Sequence, residues 1–130
     1  MKKKGAVSDF TKQRNQELKN AFKAQLYLLG TIPTEDLFTR AAKMPASRFW
    51  VSERRAAEVI SKMLKGDMMF GMNPKKREMY IEILGRVREE MRREPGITVT
   101  EATFRAVNSP APEFYLTPKS ARVIIYRIRG

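Results

Sequence analysis

The sequence contains no cysteine and no histidine. The first absence removes disulfides, thiolate metal sites and thiol nucleophiles together. The second removes the commonest general base and the commonest metal ligand. No apolar run approaches the roughly 18 residues of a membrane-spanning helix. The N-terminal Met1-Lys2-Lys3-Lys4-Gly5-Ala6-Val7 turns polar at Ser8 and Asp9, without the apolar stretch of a secretory leader. The expectation is a cytoplasmic protein with no membrane partner. Catalytic patterns are missing too. No hydroxyl nucleophile has a base beside it, no Gly-rich loop precedes a helix, and no carboxylate pair sits at metal spacing. The reading is of a non-enzyme with no cofactor, no metal and no catalytic residue.

What is present is basic charge. The 130 residues carry 26 Lys and Arg against 14 Asp and Glu, a net charge of +12. Both halves contribute: residues 1–65 hold 14 basic and 6 acidic groups, and residues 66–130 hold 12 and 8. Such an excess points to a polyanionic partner, and nucleic acid is the usual one for a small cytoplasmic basic protein. If that partner is DNA, the protein belongs with the nucleoid. Apolar residues make up 42%, enough to build a core.

The chain also repeats itself. Shifted by 65 residues, 12–64 lies over 77–129 without a gap. Nine positions are identical: Glu17/Glu82, Ile32/Ile97, Arg40/Arg105, Ala41/Ala106, Pro45/Pro110, Ala46/Ala111, Phe49/Phe114, Ala56/Ala121 and Ile60/Ile125. Roughly three would match by chance at average composition. Each copy reads Pro-Ala-x-x-Phe, then an aromatic, an aliphatic and a hydroxyl residue. The apolar positions Leu18, Phe22 and Leu26 fall on Ile83, Val87 and Met91.

Periodicity and punctuation then place the helices. A mobile basic tail is expected through about Val7. A helix follows from about Thr11 to Leu29, ended by Gly30. Thr34 reads as the cap of a short helix that stops before Pro45, and Ser52 as the cap of a third helix running to Lys65 and Gly66. In the second copy, Asn73-Pro74 opens a helix to about Glu94, which Pro95-Gly96 breaks. Thr98 or Thr100 caps a short helix, and Thr117-Pro118 starts the last one. Ile97-Thr98-Val99 and Phe114-Tyr115-Leu116 are the only candidate extended pieces. The segment 66–72 holds Met68, Met69, Phe70 and Met72, too apolar for a free linker, and so is expected to pack. The expected fold is all-α: two tandem three-helix repeats, 1–65 and 73–130, joined by 66–72 and packed into one body.

The elements Phe49-Trp50-Val51-Ser52-x-x-x-Ala56-x-x-Val59-Ile60 and Phe114-Tyr115-Leu116-Thr117-x-x-x-Ala121-x-x-Ile124-Ile125 resemble the second half of a helix-turn-helix. That resemblance implies a capped recognition helix in the DNA major groove. The connection through Pro45 to Val51 is longer than the usual turn. The Pro-Ala-x-x-Phe signature also resembles small basic proteins of Bacteroidales phages and mobile elements. On helical wheels the third helix of each copy turns a basic face outward. The candidate DNA-binding residues are Arg54, Arg55 and Lys62 in the first copy, and Lys119, Ser120, Arg122 and Tyr126 in the second. Trp50 and Tyr115 are read as packing at a turn, with base stacking the other possibility. Lys2-Lys3-Lys4 stands open between a groove-binding arm and a solvating tail. The alternation of Glu82, Glu89, Glu90 and Glu94 with Arg86, Arg88, Arg92 and Arg93 reads as a self-paired helix face. Double-stranded DNA is the expected partner of this regulator or accessory factor. The alternatives are an RNA-binding or ribosome-associated protein, and a structural subunit of a phage or mobile-element assembly that docks through Met63–Met72.

Overall fold

The structure is a computed structural model that describes the backbone over residues 3–30 and 35–129, and side chains over 10–30 and 36–127. Six helices are present: α1 Lys3–Leu29, α2 Glu35–Ala42, α3 Glu53–Leu64, α4 Pro74–Arg93, α5 Val99–Val107 and α6 Pro118–Arg129. Among the described residues there is no strand, and the only bridge joins Ala46 to Ala111. The extended pieces considered at 97–99 and 114–116 are therefore not strands.

Local chemistry sets most of the helix ends. The Ser52 side chain accepts from the Arg55 amide, and Asn73 accepts from Lys75 and Lys76 ahead of Pro74. Thr98, not Thr100, caps α5 through the Glu101 amide. Thr117 Oγ1 accepts from the Ser120 amide at 3.1 Å. Each such bond satisfies a first-turn donor that has no intrahelical partner. Gly30 and Gly66 leave α1 and α3 with φ of +61° and +105°, conformations that L side chains disfavour. The Thr34 cap and the Lys2-Lys3-Lys4 side chains lie outside the described residues.

One boundary differs from the sequence reading. α1 begins at Lys3 and not near Thr11, so residues 3–7 of the expected basic tail are part of the helix. Lys and Ala are strong helix formers, and no proline precedes Pro33 to stop the helix propagating backwards.

The chain divides into two compact units, and they are not the two sequence copies. One comprises Met1–Ala46 and Ala111–Gly130, the other Ser47–Pro110. In the first, α6 packs on α1 and α2; in the second, α3 packs on α4 and α5. The third helix of each copy has been exchanged. The pairs expected to form helix-turn-helices, α2 with α3 and α5 with α6, are thus divided between the units. The physical reason is the long connection in each copy, 43–52 and 108–117. A three- or four-residue turn would hold the two helices together.

The core of the first unit contains Leu18, Leu37, Phe38, Ala41, Ala121 and Ile125, all 1% exposed or less. Phe38 stacks on Phe22 with centroids 5.0 Å apart and receives the edge of Tyr126 at 5.5 Å. The second unit buries Val59, Ile60, Met63, Ile83, Val87, Ala102 and Val107. At about 1.5–3 kcal/mol for each large side chain removed from water, these stripes dominate the stability of both units. The segment 66–72 lies within the second unit as an ordered turn. Asp67 Oδ1 accepts from the Met69 amide at 2.9 Å, and Arg77 Nε donates to the Met68 carbonyl at 2.8 Å. Phe70 is not packed in a core. It is 79% exposed, with the Arg77 guanidinium 4.6 Å from its ring centre.

Candidate nucleic-acid interface

The apolar stripe of α3 (Ala56, Val59, Ile60, Met63) is buried, which turns the opposite face to solvent. Arg54, Arg55 and Lys62 are exposed there. Arg54 and Lys62 have no ion pair within 4.0 Å among the described residues. Arg55 has a long one, 3.6 Å to Glu58, with both side chains more than half exposed. Such a contact contributes little and is easily exchanged for another anion.

On α6, Ala121 and Ile125 are buried, Ile124 and Arg122 are half-buried, and Lys119, Ser120 and Arg127 are exposed. Lys119 and Arg122 likewise make no ion pair among the described residues. Two of the expected contact residues also bond or pack within their own unit. The Ser120 hydroxyl oxygen accepts from Thr117 Oγ1 at 3.0 Å, so it belongs to the helix cap. Tyr126 sits on Phe38 and extends the aromatic cluster of its own unit, although 52% of it is exposed. The side chains of Ile128 and Arg129 lie outside the described residues.

The contrast with α4 and α5 is chemical. Arg86 meets Glu82 at 3.1 Å, Arg92 meets Glu89, and Arg93 meets Glu89 and Glu90. Arg105 gathers Glu90, Glu94 and Glu101. Hydrogen bonds that Arg105 donates to Glu94 and Glu90 hold its pKa above the ordinary value, and the bond donated by Arg92 holds Glu89 below its own. These cations are already neutralised, whereas Arg88 of the same alternation has no ion pair among the described residues. Arg86 does more than pair. It donates to Ser109 Oγ at 3.0 Å and to the Pro110 carbonyl, and it lies 4.9 Å from the centre of the Phe49 ring.

The approach to α3 is equally well fixed. Arg48 Nε donates to the Phe49 carbonyl at 2.9 Å and Arg48 Nη2 to the Val51 carbonyl at 2.8 Å. Its guanidinium stands 5.5 Å from the centre of the Trp50 ring. Burial lowers the Arg48 pKa, and the nearby Glu53 carboxylate opposes that. Asn108 Nδ2 donates to Glu53 Oε2 at 2.6 Å and to the Phe104 carbonyl at 2.9 Å, tying the end of α5 to the start of α3. The sequence reading passed over Lys76, which is exposed in the first turn of α4 and faces a cleft shared with Trp50 and Arg55. Its signal was the Asn73-Pro74-Lys75-Lys76 start of α4. Nothing in that string says that the start of α3 lies beside it.

Met63 is 2% exposed, so the Met63–Met72 segment offers a partner only Met68, Phe70 and their neighbours. Among the described residues no three acidic, histidine or cysteine side chains gather in metal-binding proximity. No described helix is long and apolar enough to cross a membrane. Comparison with protein-family models, curated proteins and solved structures finds no match to the chain.

Proposed function

We propose that the protein binds double-stranded DNA without chemistry, as a regulator or accessory factor, through the outward faces of α3 and α6. One observation carries the reading. Carboxylates take up Lys75, Arg86, Arg92, Arg93 and Arg105, five of the eight cations of α4 and α5, whereas Arg54, Lys62, Lys119 and Arg122 are all without ion pairs among the described residues. Cations free of carboxylates are the ones that can displace counterions from phosphates, and this release supplies most non-specific affinity. Both units share the charge. By sequence, the first holds 13 basic and 5 acidic residues, and the second holds 13 and 9.

The exchange of helices leaves each unit with a short helix against a capped basic one: α2 with α6, and α5 with α3. This supports the reading, since a helix-turn-helix reader also sets a short helix against its recognition helix, here with the two drawn from different copies. The capped starts of α3 and α6 would then meet base edges, and Arg54 and Arg122 would contact phosphates or guanines.

The test is fluorescence anisotropy on duplex fragments across a salt series. Steep weakening with salt is expected. The R54Q/K62Q/K119Q/R122Q variant should flatten the slope by up to about 0.9 for each phosphate that it no longer neutralises. Salt-insensitive binding, no binding, or displacement by structured RNA in preference to duplex would overturn the reading.

A further inference from the structure

In the unit formed by 47–110, a cleft of about 500 Å3 opens beside the first turns of α3 and α4. That size lies within the range of small-ligand sites. Its lining joins two kinds of surface. Arg55 and Lys76 supply positive charge, and no carboxylate lines the cleft. Trp50, Tyr80, Met72 and Met79 supply flat and polarisable apolar surface. Tyr80 is 3% exposed and so forms the floor, while Trp50 is half-buried and forms part of the wall. The caps Ser52 and Asn73 also line it, so the positive ends of two helix dipoles add to the side-chain charge.

An anion alone would use only half of this lining, and an apolar ligand alone would use only the other half. We propose that the cleft binds a nucleotide: the phosphate at Arg55 and Lys76, and the base against the Trp50 side of the pocket. Phosphate held by guanidinium and ammonium groups forms charge-assisted hydrogen bonds, and a base gains stacking energy on an aromatic wall whatever its identity. The nucleotide can be free in solution or can be the 5′-phosphorylated end of a strand, since both present the same chemistry. The site does not rest on duplex binding. Arg55 and Ser52 belong both to the cleft and to the α3 surface proposed for the duplex, but the R54Q/K62Q/K119Q/R122Q variant changes no residue that lines the cleft, so either reading can fail alone.

Trp50 is the only tryptophan in the chain and so reports on the cleft directly. The full-length protein is titrated with dAMP, deoxyadenosine, inorganic phosphate, and matched single strands with 5′-phosphate or 5′-hydroxyl ends. Tryptophan emission and titration calorimetry are followed together. Saturable quenching with dAMP, at least about tenfold weaker in the R55Q/K76Q variant, is the expected result. A response confined to the 5′-phosphorylated strand would also support the site and would assign it to strand ends. The two substituted residues are exposed, and an unchanged melting temperature verifies that the variant is folded. No saturable response to any nucleotide, equal affinity for phosphate or deoxyadenosine alone, or undiminished binding by the variant would overturn the proposal.

Discussion

Ala46 and Ala111, which stand 65 residues apart, donate to each other's carbonyl at 3.0 and 2.9 Å. The bonds around them obey the same shift. Phe114 N donates to the Ala42 carbonyl at 2.9 Å in one unit, and Phe49 N donates to the Val107 carbonyl at 3.0 Å in the other. Ala42 and Val107 are also 65 apart. The Pro-Ala-x-x-Phe signature thus has a mechanical meaning. Its alanine is small enough for two backbones to approach, and its phenylalanine anchors the backbone bond to the end of a short helix. Both phenylalanines are buried.

The first prediction concerns fragments. Residues 47–110 contain α3, α4 and α5 with all their helix–helix partners, so this fragment should fold alone. It should show a cooperative thermal transition by circular dichroism, though a shallow one for so small a core. Residues 1–65 end before α6 and leave the α3 stripe of Ala56, Val59 and Ile60 without α4 and α5. That fragment should lack a cooperative transition. Mixing 1–65 with 66–130 should restore one. An independently folded 1–65 would contradict the exchange of third helices.

A second prediction separates packing from binding at Tyr126. With its ring on Phe38, Tyr126→Phe should leave stability within about 0.5 kcal/mol and leave DNA affinity unchanged. Tyr126→Ala should cost about 1–2 kcal/mol, because buried area and the edge-on packing against Phe38 are both removed. Phe38→Ala, at the centre of the cluster, should cost about 3–5 kcal/mol. Denaturant melts of the three variants check the order. A loss of DNA affinity in Tyr126→Phe, with stability intact, would return the hydroxyl to the interface.

These results bear on what could be read in the residues. Ser52, Asn73, Thr98 and Thr117 were legible as caps because capping is local chemistry between neighbours in sequence. Gly30 and Gly66 were legible as exits for the same reason. The stripe of α3 was legible as buried, but a stripe does not name what buries it. The exchange of α3 and α6 was therefore hidden, although the long 43–52 connection was visible. Tyr126 is exposed, as the wheel implies, but its ring also reaches Phe38, because a helical wheel gives the direction of a Cβ and not the reach of a ring. Among the candidate site residues, the exposed cations were predictable from the wheel. Their lack of ion pairs among the described residues depends on tertiary placement, which no single helix pattern carries.

The third prediction tests caps against ion pairs. Ser52→Ala should cost about 1 kcal/mol, because the Arg55 amide loses its acceptor at the start of α3. Arg92→Gln breaks an ion pair between largely exposed groups and should leave stability nearly unchanged. Arg86→Gln should resemble neither. It removes a partner of Ser109 and Pro110 as well as Glu82, and about 1–3 kcal/mol is expected. Urea midpoints at constant m-value rank the three, and an Arg92 effect larger than the Arg86 effect would contradict the bonding of Arg86 to both Ser109 and Pro110.

The last prediction is a pH dependence. Burial pushes the Tyr80 phenol above its ordinary value of 10.0, and the adjacent Arg55 charge and hydrogen bond only partly offset this. The unfolded chain therefore loses the Tyr80 proton at lower pH than the folded chain does. A group whose folded pKa is raised contributes its full stability below the unfolded pKa, and that contribution disappears as pH rises through the folded value. Stability should thus be insensitive to Tyr80 up to about pH 9 and fall through the unfolded tyrosine range near pH 10 and above. Tyr80→Phe should remove this component of the alkaline loss while leaving neutral stability little changed, since the ring and its packing remain. Ultraviolet titration of the folded protein should show one of its four tyrosines ionising late. Arg55→Gln should delay it further, because the cation that favours phenolate is gone. Urea melts at pH 8 and pH 10.5 complete the test. An identical alkaline loss in wild type and Tyr80→Phe would show that the phenol is not held in a buried environment.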